Sequence, residues 1–98
     1  MKLLTKALEK QLPELYAQDG KGGDAIAYAK FFHPFSNWTF YATEYNPEER
    51  LFFGLIQGQD EELGYFSLDE LESITIRGLK MERDMYFKPT PIKEVRAA

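Results

Sequence analysis

The chain has 98 residues, of which 44% are hydrophobic, 15% aromatic and 29% charged, with a formal net charge of -4, a composition that fits one soluble globular domain and excludes a disordered, fibrous or membrane-embedded segment. The absence of cysteine excludes disulfides, thiol nucleophiles, CxxC redox chemistry and thiolate zinc sites, and a single histidine, His33, excludes multi-histidine metal sites. Residues 1–98 are therefore expected to form a single domain with no cofactor, and the opening MKLLTKALEKQ, whose lysines interrupt every apolar run, points away from a secretory leader and a membrane span and towards the cytoplasm.

Leu4, Leu8, Leu12 and Leu15 recur at near-helical spacing, with Thr5 placed to cap and Pro13 placed to interrupt or restart the run, so the first element is one kinked helix or two short ones. Asp19-Gly20-Lys21-Gly22-Gly23 ends it in a turn. Residues 24–33 read as a strand closed by His33-Pro34, and residues 37–45 as a second. In the second, alternation puts Trp38, Phe40 and Ala42 on one face and Thr39, Tyr41, Thr43 and Tyr45 on the other. Asn46-Pro47-Glu48-Glu49 is a turn, and Leu51–Gln57 is apolar on both faces, the pattern of an internal strand at the centre of a sheet. Residues 58–61 turn again into a short strand over 63–66, where Gly64 marks a bulge or a close approach. Ser67 with Glu70 three residues on is a capping box for a helix from residue 68 that ends before Arg77-Gly78. Residues 80–88 are strand or irregular, and Thr90-Pro91 opens a terminal helix that frays. Short turns between strands require antiparallel neighbours. The expected fold class is α+β: an antiparallel meander of three to five strands packed on the N-terminal helix, with a short helix after the last meander strand.

The net charge conceals a division. Residues 1–45 hold five bases and five acids, residues 46–76 one base and eight acids, and residues 77–98 six bases and three acids, giving 0, -7 and +3. An acidic middle and a basic end suit complementary surfaces of a protein partner or of a second copy, or simply solvate a small domain.

Ordered blocks give the chain a further likeness. They are Lys30-Phe31-Phe32-His33-Pro34, Ser36-Asn37-Trp38-Thr39-Phe40-Tyr41-Ala42-Thr43-Glu44, Leu51-Phe52-Phe53-Gly54-Leu55, Glu62-Leu63-Gly64-Tyr65-Phe66-Ser67-Leu68 with Glu70-Leu71, and Glu82-Arg83-Asp84 before Tyr86-Phe87 and Pro89. Over about residues 30–91 these resemble an uncharacterised bacterial family, a domain of unknown function common on plasmids, integrative elements and phages. The resemblance supplies no catalytic residues. It implies the setting of antirestriction, anti-defence and DNA-maintenance genes, although relatives carry Trp at the position of Phe40 and a longer loop than Asn46–Arg50, which places any function of that loop in question here.

The candidate binding residues follow from chemistry. The aromatic strand offers Asn37, Trp38, Tyr41 and Tyr45 as a stacking platform for bases, with Tyr65 nearby and Arg83 and Lys88 as its cations, but core packing explains the same aromatics. Asp60, Glu61 and Glu62 present charge to a basic protein groove. Glu82 and Asp84, with Glu44, supply oxygen ligands for a hard cation, although carboxylates in such a run more often pair with Arg83, Arg77 or Lys80, so no metal site is assigned. His33 before a proline reads as a surface or half-buried residue, Ser36 and Ser67 sit in no nucleophile elbow, and no catalytic triad can be assembled. Gly20-Lys21-Gly22-Gly23 lacks the phosphate-loop spacing and reads as a plain turn. The leading expectation is a non-enzymatic accessory protein that binds a macromolecular partner, a basic one where the acidic segment is used, through residues 46–72 or the adjoining aromatic sheet. A nucleotide or single-stranded nucleic-acid binding module and a small carboxylate-dependent hydrolase are the alternatives.

Overall fold

The computed structural model describes residues 1–97. Thr5 caps helix α1 (Lys6–Gln11), its hydroxyl accepting the Leu8 N–H at 3.2 Å. The helix stops before Pro13, which lacks the N–H to continue it and forces its predecessor into extended backbone; Leu12 lies at φ -73°, ψ 121°. No second helical stretch follows. Residues 15–20 run as successive turns because Tyr16 takes a left-handed φ of 73°, and the leucines buried at this end are Leu3, Leu4 and Leu12, all outside the helix.

After a single 3₁₀ turn (Gly22–Asp24), the expected first strand is split at Tyr28 into β1 (Ile26–Ala27) and β2 (Ala29–Phe32). Strands β3 (Thr39–Asn46), β4 (Leu51–Gln57) and β5 (Glu61–Ser67) follow, then helix α2 (Leu68–Ser73). Ser67 and Glu70 close the capping box reciprocally. Strands β6 (Thr75–Ile76) and β7 (Leu79–Lys80) form a small hairpin whose two turn residues, Arg77 at φ 54° and Gly78 at φ 80°, match the twist that tight hairpins need. Strands β8 (Glu82–Arg83) and β9 (Thr90–Pro91) and helix α3 (Ile92–Ala97) complete the chain. The terminal helix starts at Ile92, with Thr90-Pro91 paired to β1, and it docks instead of fraying: Ile92 and Val95 are buried.

The main sheet is antiparallel with the order β5-β4-β3-β2-β8, so β3, not β4, lies at its centre. Both faces are used. One carries Ala29, Phe31, Ala42, Tyr45, Phe52, Ile56 and Phe66 against Leu3, Leu4, Leu12, Leu68, Leu71 and Met81. The other carries Tyr41 and Leu55 against Ala27, Ile92 and Val95.

A bulge decides which side chain goes where. The β3–β4 register pairs Ala42 with Gly54 and then Glu44 with Phe53, leaving Thr43 as an extra residue. Beyond that point the alternation reverses. Tyr45 therefore joins Phe40 and Ala42 on the first face, its ring tilted against that of Phe52 at 4.6 Å, and does not share a face with Tyr41 as simple alternation predicts. Gly54 makes the bulge possible: a Cβ there would sit 1.8 Å from the Tyr41 carbonyl oxygen, whereas one at Gly64 would meet only ordinary contact, 3.5 Å from Ile56. The close approach belongs to Gly54, not Gly64.

Candidate functional site

The same bulge turns Glu44 onto the second face, beside the loop of residues 15–20. The residue is only 4% exposed, yet among the described residues no basic side chain pairs with it. Two backbone donors satisfy it instead: Tyr16 N–H donates to Oε1 at 2.7 Å and Gln18 N–H to Oε2 at 3.0 Å. A charged acceptor strengthens such bonds and offsets the strain of holding a bulky residue at positive φ. Gln18 extends the clamp, its side-chain amide donating to the carbonyls of Ile26 (2.9 Å) and Thr43 (2.8 Å) and accepting from Ile26 N–H (2.6 Å). The Thr43 hydroxyl donates to the Phe53 carbonyl at 3.0 Å. A loop with little apolar anchoring is thus fixed by one side chain from beside the bulge, Glu44, and by one of its own, Gln18.

The fixed loop walls a cavity of about 460 Å³ bounded by Tyr16, Phe53, Leu63, Tyr65 and Ile92, with Glu44 and Thr43 at its base. Helix α3 covers Tyr41 and Leu55 but leaves Leu63 and Tyr65 each 49% exposed. Phe53 packs edge-on to Tyr65 at 5.0 Å, and the Tyr65 hydroxyl donates to that of Tyr16 at 3.3 Å. That hydrogen bond is the main cause that raises the Tyr65 phenol above its ordinary value. The two tyrosines form a partition. Beyond it lies a second, shallower depression of about 630 Å³ that includes Glu14, Leu15, Glu48, Glu49 and Leu51.

The residues singled out from the sequence are dispersed. Glu44 and Tyr65 meet in the cavity. Tyr41 is buried against Phe87 at 5.7 Å, and Tyr45 is buried on the opposite face, where desolvation raises its phenol. Trp38 is half-exposed at the far end of β3, beside exposed Asn37, and its ring lies over Gly58 and stacks on Phe40 at 6.2 Å. Arg83, at the other sheet edge, donates to the carbonyls of Lys2 and Leu3, both at 3.0 Å. Lys88 is exposed in the segment leading to β9. Tyr41, Tyr45 and Arg83 thus do not share one aromatic platform.

The carboxylates are equally scattered. Asp84 pairs with Lys30 at 3.7 Å and, with Glu82, borders a groove remote from the Glu44 cavity. Among the described residues no group of three or more His, Cys, Asp or Glu side chains is placed to hold a metal ion. Of the acidic turn, Glu61 pairs with Arg96 at 2.8 Å, while Asp60 and Glu62 are exposed. His33 is buried, 2% exposed, not a surface residue: Phe35 N–H donates to Nδ1 at 3.0 Å, which leaves Nε2 to donate to the Leu79 carbonyl at 2.7 Å. Both ring nitrogens are thereby committed, Nδ1 to the turn that follows β2 and Nε2 to the β6–β7 hairpin.

Tyr16, Gln18, Thr43, Phe53 and Leu63 were not indicated by sequence pattern as site residues. The available signals were an acid, Glu44, inside an apolar strand, and Gly54 inside another. No helix among the described residues is long and apolar enough to cross a membrane. Residues 3–94 match the family described as "Protein of unknown function (DUF2958)". No curated protein and no solved structure matches the chain.

Proposed function

The chain belongs to the family of proteins of unknown function designated DUF2958, and from that premise we propose that it is a non-enzymatic accessory protein whose cavity beside β5 receives a basic segment of a protein partner. One observation carries the reading: a mostly apolar cavity bounded by Tyr16, Phe53, Leu63 and Tyr65 stays open to solvent, with Leu63 and Tyr65 each 49% exposed beside it. Glu44 is consumed in holding the Tyr16 loop and His33 in holding the hairpin, so neither group stands free for proton transfer. Exposed apolar and aromatic side chains within an acidic surround favour a cationic protein surface over nucleic acid, whose phosphates the same acids repel. A host-defence or DNA-processing protein is the partner class in keeping with the family resemblance.

The test is a titration of the full chain with a peptide of alternating lysine and valine, and with its glutamate–valine counterpart, at two salt concentrations. The reading expects the lysine peptide alone to bind, more weakly at high salt, and binding to fall about tenfold or more in Leu63→Ser/Tyr65→Ser. Equal binding of both peptides, or binding indifferent to the double substitution, overturns it.

A further inference from the structure

Strand β5 is the edge of the main sheet, and its outer row of N–H and C=O groups has no partner strand along seven residues, Glu61–Ser67. The opposite edge, β8, is only two residues long. Natural edges are normally blunted by shortness, proline, charged side chains or a bulge. In β5 only the glutamates at its first two positions do so: its sequence is EELGYFS, without proline or lysine, and its register with β4 runs unbroken from Gln57↔Glu61 to Leu51↔Ser67. The side chains on the cavity face of this straight edge are Glu61, Leu63 and Tyr65, which lie opposite Gln57, Leu55 and Phe53.

We infer that β5 pairs with an extended segment of the partner as a sixth strand, and that this segment alternates Lys or Arg with apolar residues. The inference rests on the protein-binding reading of the same site and specifies its geometry. Main-chain bonding along an edge gives affinity for any extended chain, and alternate side chains give selectivity. On the cavity face the incoming apolar residues would lie against Leu63 and Tyr65, at the mouth of the cavity. Charge selects the rest. Asp60 and Glu62 stand exposed at one end of β5, and Glu14, Glu48 and Glu49 border the depression beyond Tyr65 at the other. The cations nearby are mostly engaged: Arg96 with Glu61, and Arg50 with Asp69 and Glu72, leaving Lys21 in its exposed turn. Seven residues of strand span roughly 23 Å, so a short linear segment reaches both acidic ends.

The probe is a seven-residue peptide of alternating lysine and valine, with two N-methylated versions that block the odd or the even amides. A strand donates to one neighbour through alternate amides only. One methylated peptide should therefore lose about tenfold or more in affinity while the other stays within about twofold, since several main-chain bonds are removed at once. In the same titration the outward amides of residues 61–67 should gain hydrogen-exchange protection. Binding in the cavity that ignores methylation overturns strand addition and leaves the protein-binding reading standing. No binding by the unmodified peptide overturns both. A chain that is dimeric when free, with the outward β5 amides already protected, assigns the edge to a second copy and overturns the inference.

Discussion

The two faces of the five-stranded sheet treat their aromatic residues differently. On the first face Phe31, Tyr45, Phe52 and Phe66 form a continuous contact set, Phe52 lying 5.3 Å from both Phe31 and Phe66, and the N-terminal segment and α2 seal it. On the second, α3 seals only Tyr41 and Leu55, and Phe53, Tyr65 and Tyr16 meet one another at the border of an open cavity. Aromatic content therefore does not distinguish core from site. What distinguishes them is whether a covering element reaches the ring, and the bulge at Thr43 determines which rings and which acid lie on each side.

The largest expected effect lies in the closed face. Phe52→Ala removes a fully buried ring and should cost about 3–5 kcal/mol in chemical denaturation. Gly54→Ala should cost a comparable amount by pushing against the Tyr41 carbonyl, with amide shifts spreading into β3. Next comes the polar clamp. Glu44→Ala leaves the Tyr16 and Gln18 N–H groups without their acceptor and should cost about 2–4 kcal/mol, with faster amide exchange in residues 15–20. A loss confined to that loop would show that the clamp serves the site and not the fold.

The alkaline limb of stability separates the faces as well. Burial raises the Tyr45 phenol and the hydrogen bond to Tyr16 raises that of Tyr65, so both lie above the ordinary value of about 10. Their contribution to stability is fully present below that value and is lost as pH rises through the folded-state values. Urea midpoints should therefore fall above about pH 10, and Tyr45→Phe should flatten the fall more than Tyr65→Phe, because solvent relieves the exposed phenol. The smallest effect is at the sheet's far end. A Cβ at Gly58 would come within 2.9 Å of the Trp38 ring, so Gly58→Ala should lift the chain's single tryptophan from its seat and shift its emission to the red, at a stability cost below ~1 kcal/mol.

Local chemistry was readable where the deciding partner lies close in sequence. Thr5 and Ser67 cap their helices and Pro13 interrupts the first, whereas Arg77-Gly78, read as the break after α2, is the turn of the β6–β7 hairpin, α2 having ended at Ser73. The antiparallel α+β architecture follows from short turns between alternating runs. Long-range choices were not readable. Thr43 carries no mark of a bulge, because its cause is the space left by Gly54 on the neighbouring strand. Consequently Tyr45 could not be assigned to the core, nor Glu44 to the cavity base. His33 likewise depends on a carbonyl 46 residues away. In the candidate site, Glu44 and Tyr65 were visible as chemistry, but Tyr16 enters only because a buried acid 28 residues distant holds its backbone.

The most direct test of the account is a residue-resolved NMR titration of the full chain with the alternating lysine–valine peptide. Shifts concentrated at Tyr16, Phe53, Leu63 and Tyr65 and along the outward amides of β5, with Phe31, Phe52 and Phe66 unmoved, are the predicted result. Shifts centred instead on Trp38 or on the groove beside Glu82 and Asp84, or none at all, would contradict it.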